Sequence, residues 1–445
     1  MPDPIHLALA VAISAPLLGA VLLGLLSIAR EERPTERFTT TVLEISLVLS
    51  LLGALGVALR WAGVGGAPFR GEAAFGDWLR LGSYYIPAVT LVDVPAVALG
   101  LLGAVLTLLV ARFSRTYLHK DPGFLRFFVL LALFASGVQL VAYAGALDVM
   151  FAGWELIGIS SALFIGFFHE RAEPIRSSVR AFTTYRLCDA GFLMAMVAVY
   201  EVLGTTRLAA LPGAAALPAW ESTTIAALFL LAAMGKSAML PFSGWLPRAM
   251  EGPTPSSALF YGGISIHMGL YLMLRVHPVL DAAPMVEIAG VVIGIATALY
   301  ASAVARTHSD AKGTLAHATL AQAGLILAEI SLGLTTFATI HLACHAMLRV
   351  FQYLRTPNAL HDAHRLGHSA IVHPHAPVDP TMLARRRYVA ALHRLRLEDL
   401  LDALVTPVII LARTLDSLDH RFRRTGRDTL GVAAGDTAGP AEDVR

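Results

Sequence analysis

Apolar residues dominate this chain in stretches long enough to cross a bilayer as helices, ~17–25 residues each. They recur as blocks at 5–29, 40–60, 88–111, 125–145, 148–168, 179–203, 223–240, 255–274, 285–304, 313–333 and 335–354. A weaker stretch covers 397–415. Length and hydropathy alone predict an all-α, polytopic membrane protein of about 12 transmembrane helices.

Composition and charge placement sharpen that reading. Of 445 residues, 56% are hydrophobic and 15% charged, whereas a soluble domain carries ~25% charge. The net charge of +2 says little. With the N-terminus outside, the inner loops through the ninth helix hold thirteen Lys and Arg, against five in the outer loops: Arg60, Arg70, Arg80, Arg207 and Arg275. Cytoplasmic loops collect such residues, so the N-terminus is expected outside and the segment after Leu354 inside. The first helix shows no convincing cleavage pattern and is read as a mature span.

One stretch breaks the rule of the apolar block. Lys236 lies in Ala226-Ala-Leu-Phe-Leu-Leu-Ala-Ala-Met-Gly-Lys-Ser-Ala-Met-Leu-Pro241. Only Lys120, Lys236 and Lys312 are lysine among 34 basic residues. An ammonium can lose its proton when desolvated and a guanidinium cannot. A Lys at mid-membrane costs roughly 2.5–3.5 kcal/mol, which points to reversible protonation along an ion path. Pro241, Gly244, Pro247, Gly252, Pro253 and Pro255 follow. That density of breakers predicts an interrupted helix, whose freed backbone groups must be buried in protein or line a wet cavity. A proline-rich loop between two ordinary helices is the plainer alternative.

Other ionisable residues lie inside predicted spans. Glu155 sits in Val149-Met-Phe-Ala-Gly-Trp-Glu-Leu-Ile-Gly-Ile, and Arg186 and Asp189, three apart on one helix face, follow in the next span. Glu251 comes just after Lys236 in sequence. Intramembrane charges are rare, usually paired and usually functional, so these groups read as a charge chain; a structural ion pair is the alternative for Arg186 and Asp189. His267 and His317 lie in later spans, and each reads equally as a proton relay or as a helix contact. His341 and His345 stack four apart on one face with Arg349. The polar segment after 360 holds His361-x2-His364-x3-His368, but no Cys or carboxylate pattern completes a zinc spacing. Cys188 and Cys344 lie in predicted helices and indicate neither a disulfide frame nor a metal site. No Gly-rich phosphate loop, haem signature or flavin motif is present, so no metal and no cofactor is expected, nor redox chemistry within the chain.

Several motifs carry a resemblance. Asp121-Pro-Gly-Phe-Leu-Arg-Phe-Phe128, Gly153-Trp-Glu-Leu-Ile-Gly158, Arg186-x-x-Asp189-x-Gly191-Phe192, Gly235-Lys-Ser-Ala238, Trp245-Leu-Pro and Met250-Glu-Gly-Pro-Thr-Pro-Ser-Ser-Ala-Leu259 resemble the antiporter-like subunits of respiratory complex I. The NuoL type, shared with Mrp antiporters, membrane-bound hydrogenases and Dab-type inorganic-carbon uptake complexes, is the most similar. Asp310-Ala-Lys312 and His341-x3-His345 extend the resemblance, and 397–415 is similar to the amphipathic region near the end of such chains. The family implies two inverted helix bundles, each with a broken helix and a proton half-channel. It implies that Glu155 is the coupling glutamate, Lys236 the central lysine, Arg186 and Asp189 the intervening pair, and His341 and His345 the eleventh-helix histidines. The chain departs at three places. Tyr261 stands where the family has an eighth-helix histidine, with His267 nearly two turns on. Arg349 stands where it has a lysine. The twelfth helix is not recognisable after Leu354, so the second bundle is expected to be truncated.

The resemblance therefore implies a proton-conducting subunit of a bacterial cytoplasmic (inner) membrane, carrying protons through Glu155, Arg186, Asp189, Lys236, His267, His317, His341 and His345, with Glu251, Tyr261 and Arg349 as modulators. The organisation expected is N-terminal helices (1–121), a first channel bundle (122–276), a truncated second bundle (277–356), a His- and Arg-rich cytoplasmic segment (357–390), a further amphipathic or membrane helix (391–415) and a disordered tail (416–445). Expected partners are membrane lipid and either a large cytoplasmic zinc protein of the DabA type or other membrane subunits of a respiratory complex; nucleic acid is not. A complex I or hydrogenase subunit and a non-conducting membrane anchor are the rival readings.

Overall fold

Long helices appear where the apolar blocks lie, with boundaries set by local chemistry. The computed structural model describes residues 4–29, 34–82, 84–308, 310–356 and 382–396, with positions 410 and 414. Through these run α1 (Pro4–Ala29), α2 (Glu36–Trp61), α3 (Val94–Tyr117), α4 (Phe124–Tyr143), α5 (Leu147–Ile165), α6 (Ala172–Leu203), α7 (Ala219–Lys236), α8 (Thr254–Arg275), α9 (Pro284–Ala305), α10 (Ala311–Ser331), α11 (Thr335–Arg355) and the short α12 (Met382–Leu392). Seven of them, α1–α5, α8 and α9, are long and apolar enough to cross a membrane by length and composition alone. The other long ones, α6, α7, α10 and α11, carry Arg186, Lys236, Glu329 and His345, whose polarity lowers their hydropathy. The twelfth block at 397–415 and the histidines at 361–375 lie outside the described residues, apart from positions 410 and 414.

Several boundaries differ from the sequence reading, α6 starting at Ala172 rather than 179 among them, and two bear on the architecture. Residues 88–92 are strand, not helix: β1 (Gly71–Leu81) pairs antiparallel with β2 (Tyr84–Val92). The helix starts only after Asp93, which has an extended backbone and whose carboxylate accepts the Ala96 N–H at 3.0 Å, with a proline in the first turn. The apolar strand end merges with the apolar helix in sequence, which hid the hairpin. The hairpin is tied to the neighbouring connections: Gly145 N–H donates to Val89 O at 2.9 Å, and Arg207 pairs with Glu72 at 3.5 Å. The second boundary is the end of α7, which stops at Lys236 rather than at 240.

Beyond Lys236 the helix is interrupted, as the breakers predict. A turn (Phe242–Gly244), one helical turn (Trp245–Arg248) and a further turn (Ala249–Glu251) lead into α8. α8 is irregular too, with a π-helical stretch over Ser257–Gly263 and a 3₁₀ turn at Ser265–His267; such stretches concentrate at functional sites. Every residue of α8 is buried. It is enclosed by α7 on one side and by α11, which packs on its π-helical stretch, on another. α4 and α5 cross closely at Gly137 and Gly153: a Cβ on either would lie 2.9 or 2.7 Å from the other's carbonyl oxygen, the small-residue contact that lets membrane helices approach. Outward faces are apolar instead, with Leu18, Leu52, Leu299 and Phe351 exposed, as a hydrocarbon solvent requires.

Candidate functional site

The end of α7 places Lys236 inside the protein with no exposed surface. Its Nζ donates to the Trp154 carbonyl oxygen at 3.0 Å and stands 4.8 Å from the Trp154 ring and 5.0 Å from the Tyr185 ring. Electron-rich ring faces stabilise a desolvated cation. The helix break behind it is held by Trp245, whose indole N–H donates to the Gly235 carbonyl at 3.0 Å.

The acids meet Lys236 through Trp154 rather than directly. The Trp154 indole donates to Asp189 Oδ1. Arg186 bridges the two carboxylates: Nη2 donates to Asp189 Oδ2 at 2.7 Å, and Nη1 to Glu155. Among the described residues no ion pair joins Lys236 to either acid. Three helices thus assemble one cluster, α5 supplying Trp154 and Glu155, α6 Tyr185, Arg186 and Asp189, and α7 the lysine. Glu155 Oε1, Arg186 Nε, Tyr185 Oη and Ser237 Oγ are buried without a protein partner among the described residues, the valences that buried water usually fills.

The second cluster sits where α11 crosses α8. His267 Nδ1 faces the Gly263 carbonyl at 2.7 Å, His267 Nε2 faces His345 Nδ1 at 2.9 Å, and Arg349 Nε donates to His345 Nε2 at 2.9 Å. A carbonyl only accepts and a guanidinium only donates. With both rings neutral, these ends assign the protons: His345 Nδ1–H donates to His267 Nε2, and His267 Nδ1–H to Gly263. Arg349 also donates to Gln352 at 2.7 Å. One turn along, the His341 ring lies 6.2 Å from the His345 ring. Its Nδ1 faces both Glu329 oxygens, at 2.8 and 3.0 Å, and its Nε2 faces Gln322 Oε1 at 3.1 Å.

Hydroxyls lie between the two clusters. Tyr261, packed 5.8 Å from the Trp245 ring, donates to the Ser161 carbonyl at 3.3 Å, and the Ser161 and Ser265 hydroxyls meet at 3.3 Å. His317 falls elsewhere, with its Nδ1 on the Gly313 carbonyl at 3.0 Å and its ring 4.5 Å from His308. Glu251 ends the interrupted segment, half-buried and in no ion pair among the described residues. Among those residues no three His, Cys, Asp or Glu side chains are grouped to hold a metal.

Comparison with known proteins places this architecture. A family model described as the transmembrane region of NADH:quinone oxidoreductase and Mrp antiporters matches residues 144–383, more than half of the chain. The chain belongs to that family. A second model, the N-terminus of chain 5 of NADH-ubiquinone oxidoreductase (complex I), matches residues 78–128. NAD(P)H-quinone oxidoreductase chain 5 of Picosynechococcus is 30% identical over 80% of this chain and 55% of its own length. The probable inorganic carbon transporter subunit DabB1 of Halothiobacillus neapolitanus is 30% identical over 89% of this chain and 68% of its own. The Mrp complex of Dietzia aligns with a TM-score of 0.67 and 25% identity, over 78% of this chain and 37% of that one. The chain spans about half the length of the chain-5 relatives it matches. Relatives of this multi-pass antiporter-like subunit are parts of larger membrane assemblies.

The structure gives places in the site to residues that the sequence did not single out as candidates. Trp154, Tyr185 and Gly158 surround Lys236, and Gln322 and Glu329 hold His341. Glu329 carried a signal, being an acid inside an apolar block. Trp154 and Gly158 were visible only as members of the Gly153–Gly158 motif, and Tyr185 carried no signal, since aromatic residues are common in membrane helices.

Proposed function

We propose that this antiporter-like subunit conducts protons and couples the proton-motive force to a partner in a bacterial cytoplasmic membrane, with its N-terminus outside. The observation that carries the reading is Lys236: a fully buried ammonium at a helix break, tied to the Arg186-bridged acids through one tryptophan. In this reading Lys236 holds and releases the proton. Glu155 senses the neighbouring subunit, Arg186 and Asp189 transmit its state, and His267, His345 and His341 lead the proton on. A carboxylate displaced from about 8 Å to about 4 Å at an effective permittivity of ~20 changes its interaction with the ammonium by ~2 kcal/mol. One pKa unit is ~1.4 kcal/mol, so ångström-scale movement of Glu155 or Asp189 is enough to switch the proton.

The assembly favoured is a Dab-type inorganic-carbon uptake complex with a large cytoplasmic zinc protein as partner. Its support is that the DabB1 relative matches over 89% of this chain, against 80% for a chain-5 relative at the same 30% identity. Copurification from the native membrane tests the assignment. One large Cys- and His-rich soluble companion is expected, and quinone-linked or iron–sulfur subunits in its place would assign the chain to a respiratory complex. For conduction itself, Lys236→Met in energised vesicles is expected to abolish proton flux and partner activity. Unchanged flux would sink the reading.

A further inference from the structure

The histidine row ends on an acid with no role so far. Glu329 lies one turn from the end of α10, and its side chain is 15% exposed. That end of α10 is where the chain leaves α8: His277, just after Arg275, faces the Ile330 carbonyl through Nε2 at 3.2 Å. Arg275 in turn pairs with Asp93 at the foot of the hairpin, at 2.6 Å. The row His267, His345, His341, Glu329 therefore leads from the buried middle of α8 toward the hairpin end of the bundle.

The chemistry of its last step is specific. Both His341 nitrogens face oxygens, so a proton carried by this ring is met by an acceptor on either side. Gln322 is an amide and does not keep a proton; Glu329 does. Gln322 and Glu329 are two turns apart on one face of α10, so they bracket the ring.

We propose that Glu329 is the terminal proton-carrying carboxylate of this row. A proton on His341 Nδ1 passes along the hydrogen bond to a Glu329 oxygen, leaving the imidazole neutral and the carboxyl protonated. Water at the hairpin end then removes it and restores the carboxylate. The inference rests on the proton-conduction reading and assigns its outlet. Its rival is a permanent ion pair that only clamps α10 to α11.

Two measurements on the full chain with its native partners, in membrane vesicles, separate these. Glu329→Gln retains an oxygen for His341 but cannot cycle a proton. Proton flux, followed with a pH-sensitive dye, is expected to fall by about tenfold or more, with the thermal unfolding midpoint unchanged and flux partly restored in Glu329→Asp. Dicyclohexylcarbodiimide reacts with carboxyl groups that become protonated in apolar surroundings. A mass adduct on the wild-type peptide containing Glu329 is expected, and a permanent ion pair gives none. Full flux in Glu329→Gln, or an unmodified Glu329, overturns the proposal, and the adduct decides should the glutamine variant not fold. Lys236→Met keeps the two claims apart. Flux lost in Lys236→Met but intact in Glu329→Gln sinks the outlet alone, while flux intact in Lys236→Met sinks the conduction reading.

Discussion

Gly158 gives the lysine its room. A Cβ there would stand 3.0 Å from Lys236 Nζ and 3.3 Å from Arg186 Nη2. Both atoms end flexible side chains, so a methyl group displaces charges rather than backbone. Gly158→Ala gains about 1 kcal/mol of helix propensity against about 1–3 kcal/mol of crowding, so a net loss of no more than about 2 kcal/mol is expected, with proton flux lowered several-fold. A larger loss of stability, with flux falling in parallel, would show that the glycine serves packing alone. At this scale the sequence announced the charges and hid their setting. Lys236 and Glu155 are conspicuous because an ionisable group in an apolar block carries an energetic penalty wherever it points. Trp154 is an ordinary membrane-helix residue until its carbonyl is seen on Lys236 and its indole on Asp189. Arg349, read as a lost lysine, proves to be the donor that orients His345.

The interrupted helix is the element on which the site depends. Clustered prolines and glycines made the break legible, but not that α7 would stop at the lysine itself, since Ser237 to Leu240 continue the apolar pattern. Backbone hydrogen bonding decides it. The Trp245 indole takes the Gly235 carbonyl at 3.0 Å, whereas the Ala238 N–H reaches the same oxygen at 3.4 Å. Trp245→Phe removes the shorter bond and leaves the longer, so a loss of about 1 kcal/mol is expected. Thermal unfolding in detergent checks the magnitude, and amide hydrogen exchange at 233–239 checks the place. Unchanged exchange there would mean that the break holds without the indole. The hairpin was the element missed, because its second strand runs straight into an apolar helix.

For the whole molecule, the ion pair at the hairpin end shows how the layers are tied. Arg275 has 3% of its side chain exposed and Asp93 38%. Asp93→Asn keeps the cap on α3 but strands a buried guanidinium, which costs about 3–5 kcal/mol. Arg275→Met instead returns a carboxylate to water and is expected to cost clearly less. The opposite order in denaturant unfolding would show that the pair does not anchor α8 to the hairpin. Taken alone, the sequence determined the solvent of this protein, the order of its long helices, the break after Lys236 and some of its buried charges, Lys236 and Asp189 among them but not Arg275. Each follows from a local cost, that of placing polar atoms in hydrocarbon. Which of those groups meet was left to the tertiary structure. His267 and His345 are 78 residues apart, and Lys236 reaches Trp154 across 82. Helices apolar on nearly every side carry no stripe to set their rotation against a neighbour, so the partners of each charge emerge only when the helices cross.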